Sequence, residues 1–192
     1  MKKVLLYIHG KGGSYSEAEQ YKIKFSWFIN EARDRYDEKW RVYKLNNGRY
    51  SKMKDYSIQN KKAWEYNAYD FWVKQSGTPV DRAKRDLENP IGMLKRYSDY
   101  FHTYNGIKVA NICGSCGKKA VPLAILGAEV TVFDISEDNK KYALEVAAAA
   151  KVELNFEVCD ILEIDIEKFG NYFDVVFMEG GVLHYFHDID EF

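Results

Sequence analysis

Strand-like and helix-like segments alternate regularly after Gly106, and this alternation constrains the fold more than any other feature of the sequence. The strand-like segments are mostly apolar and comprise residues 107–112, 130–133, 154–158 and 175–178. Helical patterns at 118–126 and 137–151 separate the first three. This order is typical of βαβ crossovers, so we predict an α/β protein with a mostly parallel sheet.

The first of these units carries a glycine-containing turn, N-I-C-G-S-C-G, between its strand and its helix. Gly114 and Gly117 lack a Cβ, so the backbone there can approach a ligand closely. The next strand ends in Asp134, about 20 residues after the turn, where a carboxylate can accept both hydroxyls of a ribose. The pattern therefore indicates a site for an adenosine cofactor. By spacing alone it is degenerate, because Cys113 and Ser115 stand where a nucleotide-binding loop would carry glycine.

A second acid follows the third strand of the series. Asp160 at that strand end is placed to accept the exocyclic amine of an adenine, with Ile135 and Ile161 on the faces of the ring. Asp134 and Asp160 together fit one bound adenosine. Each also has a purely structural reading, since an aspartate at such a position can cap a helix or form a turn.

The composition favours one principal domain that binds a small molecule. The chain has 192 residues, and its 28 basic and 29 acidic residues leave a net charge of -1, which does not favour nucleic acid as a partner. No apolar run is long enough to span a bilayer, so we expect no membrane association. The three cysteines and the lack of a recognisable signal peptide predict reduced thiols and a cytoplasmic location.

Before the α/β region the pattern is helical and rich in aromatic residues. We divide the chain into a strand-loop-helix extension at 1–50, a helical cap region at 51–105 and the α/β core at 106–192. The extension opens with a strand at 3–8. Within the cap region the pattern predicts one helix over 62–74, which includes Trp64, and another over about 92–102.

The motifs together resemble the catalytic domain of class I S-adenosylmethionine-dependent methyltransferases. The resemblance rests on V-A-N-I-C-G-S-C-G, V-T-V-F-D-I-S, C-D-I and F-D-V-V-F-M-E-G-G-V-L-H-Y-F, in that order, and on the upstream aromatic helix A-W-E-Y-N-A-Y-D-F-W. It implies a Rossmann-like methyltransferase fold, S-adenosyl-L-methionine as cofactor, and a small-molecule acceptor as substrate. It covers roughly the first half of that domain.

The resemblance also implies roles for individual residues. The backbone from Asn111 to Gly117 would lie against the methionine part of the cofactor, Asp134 would bind the ribose, and the segment from Glu179 to His184 would form the acceptor side. The full set of predicted cofactor-binding residues is Asn111, Cys113, Gly114, Gly117, Asp134, Ile135, Asp160, Ile161, Glu179 and Trp64. Asn111 stands where the family usually has an acid, and Ser115 replaces a glycine.

Methyl transfer requires little of the protein beyond alignment and exclusion of water, because a sulfonium already makes the methyl group electrophilic. A base is needed only if the acceptor atom carries a proton. His184 is the candidate for that role, and a surface histidine is the alternative reading. Glu179 would grip a cationic group or cap the following turn.

Five other interpretations remain open at the level of sequence. Cys113 and Cys116 form a C-x-x-C that suits a redox dithiol, and with His184 and His187 they could make a zinc site, although both patterns are poorly specific. NAD is the alternative nucleotide. The opening K-V-L-L-Y-I-H-G-K-G-G-S resembles the start of an α/β-hydrolase, but no G-x-S-x-G elbow follows. A truncated paralogue could bind the cofactor, or a partner, without turnover.

The sequence ends soon after the fourth predicted strand of the α/β region, whereas class I methyltransferases resemble one another in having seven. We therefore expect a core that is incomplete at the C-terminus, with an open edge beside its central strands. Three arrangements would follow: the strand at 3–8 fills the gap, a second copy of the chain fills it in a homo-oligomer, or the edge stays open in a weakly stable fragment.

Overall fold

The five strands described by a computed structural model, which covers residues 4–8, 49–180 and 182, form one parallel sheet. They are β1 (Val4–Ile8), β2 (Lys108–Ile112), β3 (Glu129–Asp134), β4 (Asn155–Val158) and β5 (Val175–Glu179). Their order across the sheet is β1-β5-β2-β3-β4, and every neighbouring pair runs parallel. The predicted α/β class and parallel sheet are confirmed.

Helices lie between successive strands of the sheet. They are α1 (Arg49–Glu65), α2 (Ala68–Ser76), α3 (Pro79–Glu88), α4 (Pro90–Leu94), α5 (Ala120–Ile125), α6 (Glu137–Ala149) and α7 (Ile166–Phe169), with 3-10 helices at Lys95–Tyr100 and Ile161–Glu163. None of the helices in these ranges is both long enough and apolar enough to cross a membrane.

Two helices expected from the periodicity are in fact broken. The helix predicted over 62–74 ends at Glu65 and restarts as α2, because Asn67 adopts a left-handed conformation with φ of 50°. The helix predicted over 92–102 becomes a short α-helix followed by a 3-10 helix, with Lys95 at φ of 56° between them. Periodicity missed both breaks because neither position carries glycine or proline.

Local capping explains where α3 and α6 begin. Thr78 accepts a hydrogen bond from Asp81 N (3.2 Å), and the Asp81 carboxylate accepts one from Thr78 N (3.3 Å), so the two form a capping box ahead of Pro79. At α6 the hydroxyl of the N-cap residue Ser136 accepts a hydrogen bond from Asn139 N (3.2 Å).

Side chains of the strands alternate between two apolar layers. Val109 and Phe177 face a cluster built with α4 and α5, whereas Ala110 and Met178 face a second cluster that includes Phe173. Phe177 is completely buried. β2, β3 and β5 are covered on both faces, which accounts for their nearly continuous apolar sequence.

The N-terminal strand lies beside β5. β1 pairs with β5 in parallel register, with Leu6 opposite Phe177. Of the three arrangements expected for this edge, the structure therefore has the first, in which a strand of the same chain pairs with β5. The rest of the extension, including the hydrolase-like His9-Gly10 segment, lies outside the described residues.

Candidate functional site

A cleft of about 230 Å³ opens at the carboxyl ends of β2, β3, β4 and β5. β3 and β4 lie on one side of β2 and β5 lies on the other, so the order of the strands reverses between β2 and β5. Ligands of open α/β sheets bind in the crevice at such a reversal. The cleft therefore stands where this fold places a cofactor.

The turn after β2 has a strained backbone. Cys113 and Ser115 both have positive φ, 48° and 51°, although neither is glycine. Gly114 is needed for a different reason, because a Cβ there would lie 2.6 Å from Asn111 Oδ1 and 2.8 Å from Val132 Cγ1. The turn thus packs too closely on the sheet for a side chain at its centre.

Asp134, at the end of β3, holds this turn and α6 together. Its Oδ2 accepts from Ser115 N (2.9 Å), and its Oδ1 accepts from Ser136 N (3.1 Å) and from Asn139 Nδ2 (3.0 Å). Burial raises the pKa of Asp134 above its ordinary value, and these donors act in the opposite direction. Asp134 lines the cleft, and a carboxylate oxygen can accept more than one hydrogen bond, so it retains capacity for a ligand hydroxyl.

Asp160 lines the same cleft from the end of β4. Its Oδ1 accepts from Leu162 N (3.1 Å), which caps the short 3-10 helix, and its Oδ2 accepts a hydrogen bond from the Ser57 hydroxyl of α1. The carboxylate predicted to meet an adenine amine is thus in contact with a helix that lines the cleft. Any ligand that uses Oδ2 must share it with Ser57 or displace it.

The structure brings most of the predicted residues together. Three acids line the cleft, namely Asp134, Asp160 and Glu179, and so do four further predicted residues, Trp64, Cys113, Ile135 and Ile161. Asn111, Gly114 and Gly117 are not among the lining residues. Asn111 is buried behind the turn, where its Nδ2 lies 3.4 Å from Phe177 O. His184 lies outside the described residues.

Several lining residues were missed at the level of sequence. Ser57 and Asn60 come from α1, and Asn139 comes from the first turn of α6. The sequence offered a signal for Asn139, since it stands three positions after an N-cap serine and five after the strand-end acid. No local signal marks Ser57 or Asn60, which reach the cleft only through tertiary packing.

The raised pKa values of its thiols argue against a redox role for the cysteine motif. The free thiols of Cys113 and Cys116 both have raised pKa values because burial disfavours the thiolate, and for Cys116 the value is about 11. A catalytic thiol needs the opposite shift. Within residues 4–8, 49–180 and 182, no group of three or more histidine, cysteine or acidic side chains could hold a metal ion. His184 and His187 of the zinc alternative fall outside these ranges.

Buried charges support the turn from behind. Arg82 Nε lies 2.8 Å from Asp86 Oδ1, with both side chains almost fully buried, and Arg82 Nη2 donates to Lys118 O (3.1 Å). The ammonium of Lys119 donates to Met93 O, and burial lowers its pKa. α3 and α4 are therefore tied to the segment that links the turn to α5.

The comparisons with known proteins agree with this geometry. Residues 109–192 match the family model described as "Methyltransferase domain". The magnesium protoporphyrin IX methyltransferase of Synechocystis PCC 6803 with bound SAM is 19% identical, with a TM-score of 0.52 over 71% of this chain and 66% of that one. The structure of the same enzyme with bound SAH is 18% identical, with a TM-score of 0.47 over 64% of this chain and 57% of that one. No curated protein matched the chain directly.

A third structure is more distant. The phosphoethanolamine N-methyltransferase 1 of Haemonchus contortus is 17% identical, with a TM-score of 0.43 over 64% of this chain and 25% of that one. The chain spans less than two thirds of the length of the Synechocystis structures it resembles.

The fold and the cleft define a Rossmann-like α/β domain of the nucleotide-cofactor-binding class. Within that class, residues 109–192 match the methyltransferase-domain model, in agreement with the class I type that the sequence motifs indicated.

The residues of the cleft fit an adenosine-containing cofactor. Ser115 has a buried hydroxyl without a hydrogen-bond partner among the described residues, and Asp134 and Asp160 supply acceptors at the ends of neighbouring strands. Ile135, Ile161 and Leu162 give the cleft apolar walls. A largely apolar cleft with a few placed polar groups is the usual form of a cofactor site.

Proposed function

We propose that this protein binds S-adenosyl-L-methionine in the cleft and transfers its methyl group to a small molecule. The observation that carries the proposal is the meeting of Asp134 and Asp160 at one cleft, at the strand ends of a methyltransferase-family domain. The sequence-based expectation of this cofactor agrees with the family assignment and with a structural neighbour that holds SAM.

Each part of the cleft has a role in the proposal. Asp134 would accept the ribose hydroxyls, and Asp160 would accept the adenine amine between Ile135 and Ile161. Trp64 of α1 lines the cleft and would exclude water from the ligand. When bound, the cofactor supplies an electrophilic methyl group, so the protein has mainly to align donor and acceptor.

The acceptor would enter beside Glu179, which lies at the end of β5 on the wall of the cleft. A carboxylate there favours an acceptor with a cationic or hydrogen-bond-donating group. We assign to His184 the removal of a proton where the acceptor atom carries one. The three free thiols support a reducing compartment, and we propose the cytoplasm.

Isothermal titration calorimetry tests the proposal most directly. Wild-type protein should release or absorb heat with both S-adenosylmethionine and S-adenosylhomocysteine, and Asp134→Ala should weaken both by about tenfold or more, because it removes a charge-assisted acceptor. Absence of binding by the wild type would overturn the proposal. A parallel titration with NAD tests the alternative that the cleft binds this nucleotide instead.

Binding and transfer are separate claims. A protein that binds both ligands but methylates none of a panel of small amines, thiols and phenols would fit the non-catalytic alternative. Transfer of tritium from labelled S-adenosylmethionine to a low-molecular-weight fraction of a cell extract would support catalysis on a small molecule.

A further inference from the structure

A chain of side-chain hydrogen bonds runs from the aromatic helix α2 to the strand-end acid. Trp72 Nε1 donates to Asn139 Oδ1 (2.7 Å), and Asn139 Nδ2 donates to Asp134 Oδ1 (3.0 Å). Three elements, α2, α6 and β3, each supply one member. Trp72 is half-buried and is not among the residues that line the cleft, whereas Asn139 and Asp134 are.

The chemistry of the two ends fixes the orientation of the amide between them. An indole N–H can only donate, and an ionised carboxylate can only accept. The Asn139 amide therefore has to turn its oxygen to Trp72 and its nitrogen to Asp134. The reversed amide would place two donors together at the Trp72 end and two acceptors together at the Asp134 end, so both hydrogen bonds would be lost. Asn139 is 1% exposed, so water cannot readily replace a lost partner.

The other contacts of α2 with α6 follow a different route. The Tyr69 hydroxyl donates to the Glu145 carboxylate of α6, and this bond raises the pKa of Tyr69 to about 12. Tyr69 N also donates to Asp138 Oδ2 (3.3 Å). Neither acid lines the cleft. These bonds fix α2 against α6, but neither of them involves Asp134 or Asn139.

We infer that Trp72 is a positioning residue for the cofactor, acting through Asn139 to hold the Asp134 carboxylate in the orientation that meets the ligand. The inference rests on the proposed function, since it assigns to Asp134 the binding of an adenosine-containing ligand. If Trp72 acts in this way, packing of α2 against α6 raises the affinity for the ligand. Because such coupling is reciprocal, ligand binding in turn stabilises the packing of α2.

A matched pair of variants separates positioning from simple docking of the helix. Trp72→Phe keeps an aromatic ring and removes the N–H donor, and Tyr69→Phe removes the other side-chain bond between the same two helices. By calorimetry, Trp72→Phe should weaken S-adenosylhomocysteine binding about fivefold, the effect of one lost hydrogen bond. Tyr69→Phe should change it less than about twofold, even where thermal unfolding shows equal destabilisation of the two variants.

The same substitution in an Asp134→Asn background identifies the route. If Trp72 acts through the carboxylate, Trp72→Phe should have little further effect once that carboxylate is gone. An equal loss in both backgrounds would mean a general structural role and would overturn the inference. Wild-type binding with no loss in Trp72→Phe would also overturn it while leaving the proposed function intact. No binding by the wild type would instead count against the proposed function.

A measurement on the wild type needs no variant to fold. The chain has four tryptophans, so the indole region of a 15N correlation spectrum is simple to assign by through-bond experiments. S-adenosylhomocysteine should shift the Trp72 indole signal and slow the exchange of its N–H with solvent. A ligand on Asp134 would stabilise the hydrogen bonds that join Asp134 to Asn139 and Asn139 to Trp72. An unchanged signal and exchange rate at saturating ligand would contradict the coupling.

Discussion

Asn111 stands where the resemblance to class I methyltransferases predicts an acid, yet its amide makes contacts that suit this position. Its Nδ2 lies 3.4 Å from Phe177 O, so the side chain bridges β2 and β5 behind the turn. An ionised acid at this position could not donate to a carbonyl. The amide also packs tightly against the turn, since Asn111 Oδ1 lies where a Cβ on residue 114 would project.

The pH dependence of binding is a prediction at this scale. Burial raises the pKa of Asp134 above its ordinary value of 3.8, and the proposed contact with the ribose hydroxyls needs the ionised carboxylate as acceptor. Affinity of the wild type for S-adenosylhomocysteine should therefore be constant at neutral pH and fall on acidification, starting at a higher pH than an ordinary aspartate would give. Calorimetry across the pH range checks this. Asp134→Asn should bind more weakly and lack this pH dependence, and a wild-type curve as flat as that of the variant would contradict it.

Substitution of two glycines separates crowding from backbone strain. Gly114→Ala should lower the free energy of unfolding by about 1–3 kcal/mol, because the new methyl group overlaps Asn111 and Val132. Gly106 has φ of 74°, but a Cβ added there would meet no atom within 4 Å, so Gly106→Ala should cost only about 1 kcal/mol of conformational strain. Urea unfolding measures both. A larger loss at Gly106 would show that strain outweighs crowding.

At the scale of elements, the helices between β1 and β2 support the site as well as cover it. α1 reaches Asp160 through Ser57, and α2 reaches Asp134 through Trp72 and Asn139. The strands and the α6 N-cap could be predicted because each is encoded in a short window. The break at Asn67 could not be predicted, because the helical spacing of aromatic residues continues without interruption on both sides of it.

The buried pair on α3 gives a prediction for an element. Arg82→Leu should destabilise the protein by about 3–5 kcal/mol, because it leaves the buried Asp86 without its partner, whereas Asp86→Asn keeps a hydrogen-bonding group and should cost less. Chemical unfolding measures the difference. Burial already raises the pKa of Asp86.

The destabilisation caused by Arg82→Leu should also depend on pH. A carboxyl whose folded pKa is raised contributes stability below its unfolded pKa and loses that contribution as pH rises through the folded value. Loss of Arg82 raises the Asp86 pKa further, because the guanidinium favours the ionised form. The deficit of Arg82→Leu should therefore shrink on acidification, and a deficit that grows toward low pH would contradict the assignment.

At the scale of the whole molecule, β1 determines what lies beside β5. Strands at 4–8 and 175–179 are far apart in sequence, yet they pair in register along their full lengths. A parallel edge left unpaired would present free backbone groups to other chains. The pairing therefore joins the N-terminal extension to the sheet that carries the site.

Proline scanning of β1 tests this arrangement. Successive N–H groups of a strand point to opposite edges, so one of Leu5 and Leu6 donates to β5 and the other does not. Of Leu5→Pro and Leu6→Pro, one should lower the free energy of unfolding by about 1 kcal/mol more than the other, the cost of a lost ladder hydrogen bond. Urea unfolding with light scattering measures stability and self-association together. Two variants with unchanged stability would argue against the pairing.

The sequence alone determined the parallel α/β class, the glycine-containing turn and the two strand-end acids, because each depends on residues within a few positions of one another. Only the tertiary structure decided that β1 pairs with β5, that Ser57 meets Asp160 and that Trp72 donates a hydrogen bond to Asn139. The two helix contacts join residues 103 and 67 positions apart. Contacts of that separation are selected by packing of the whole chain, so no local pattern records them.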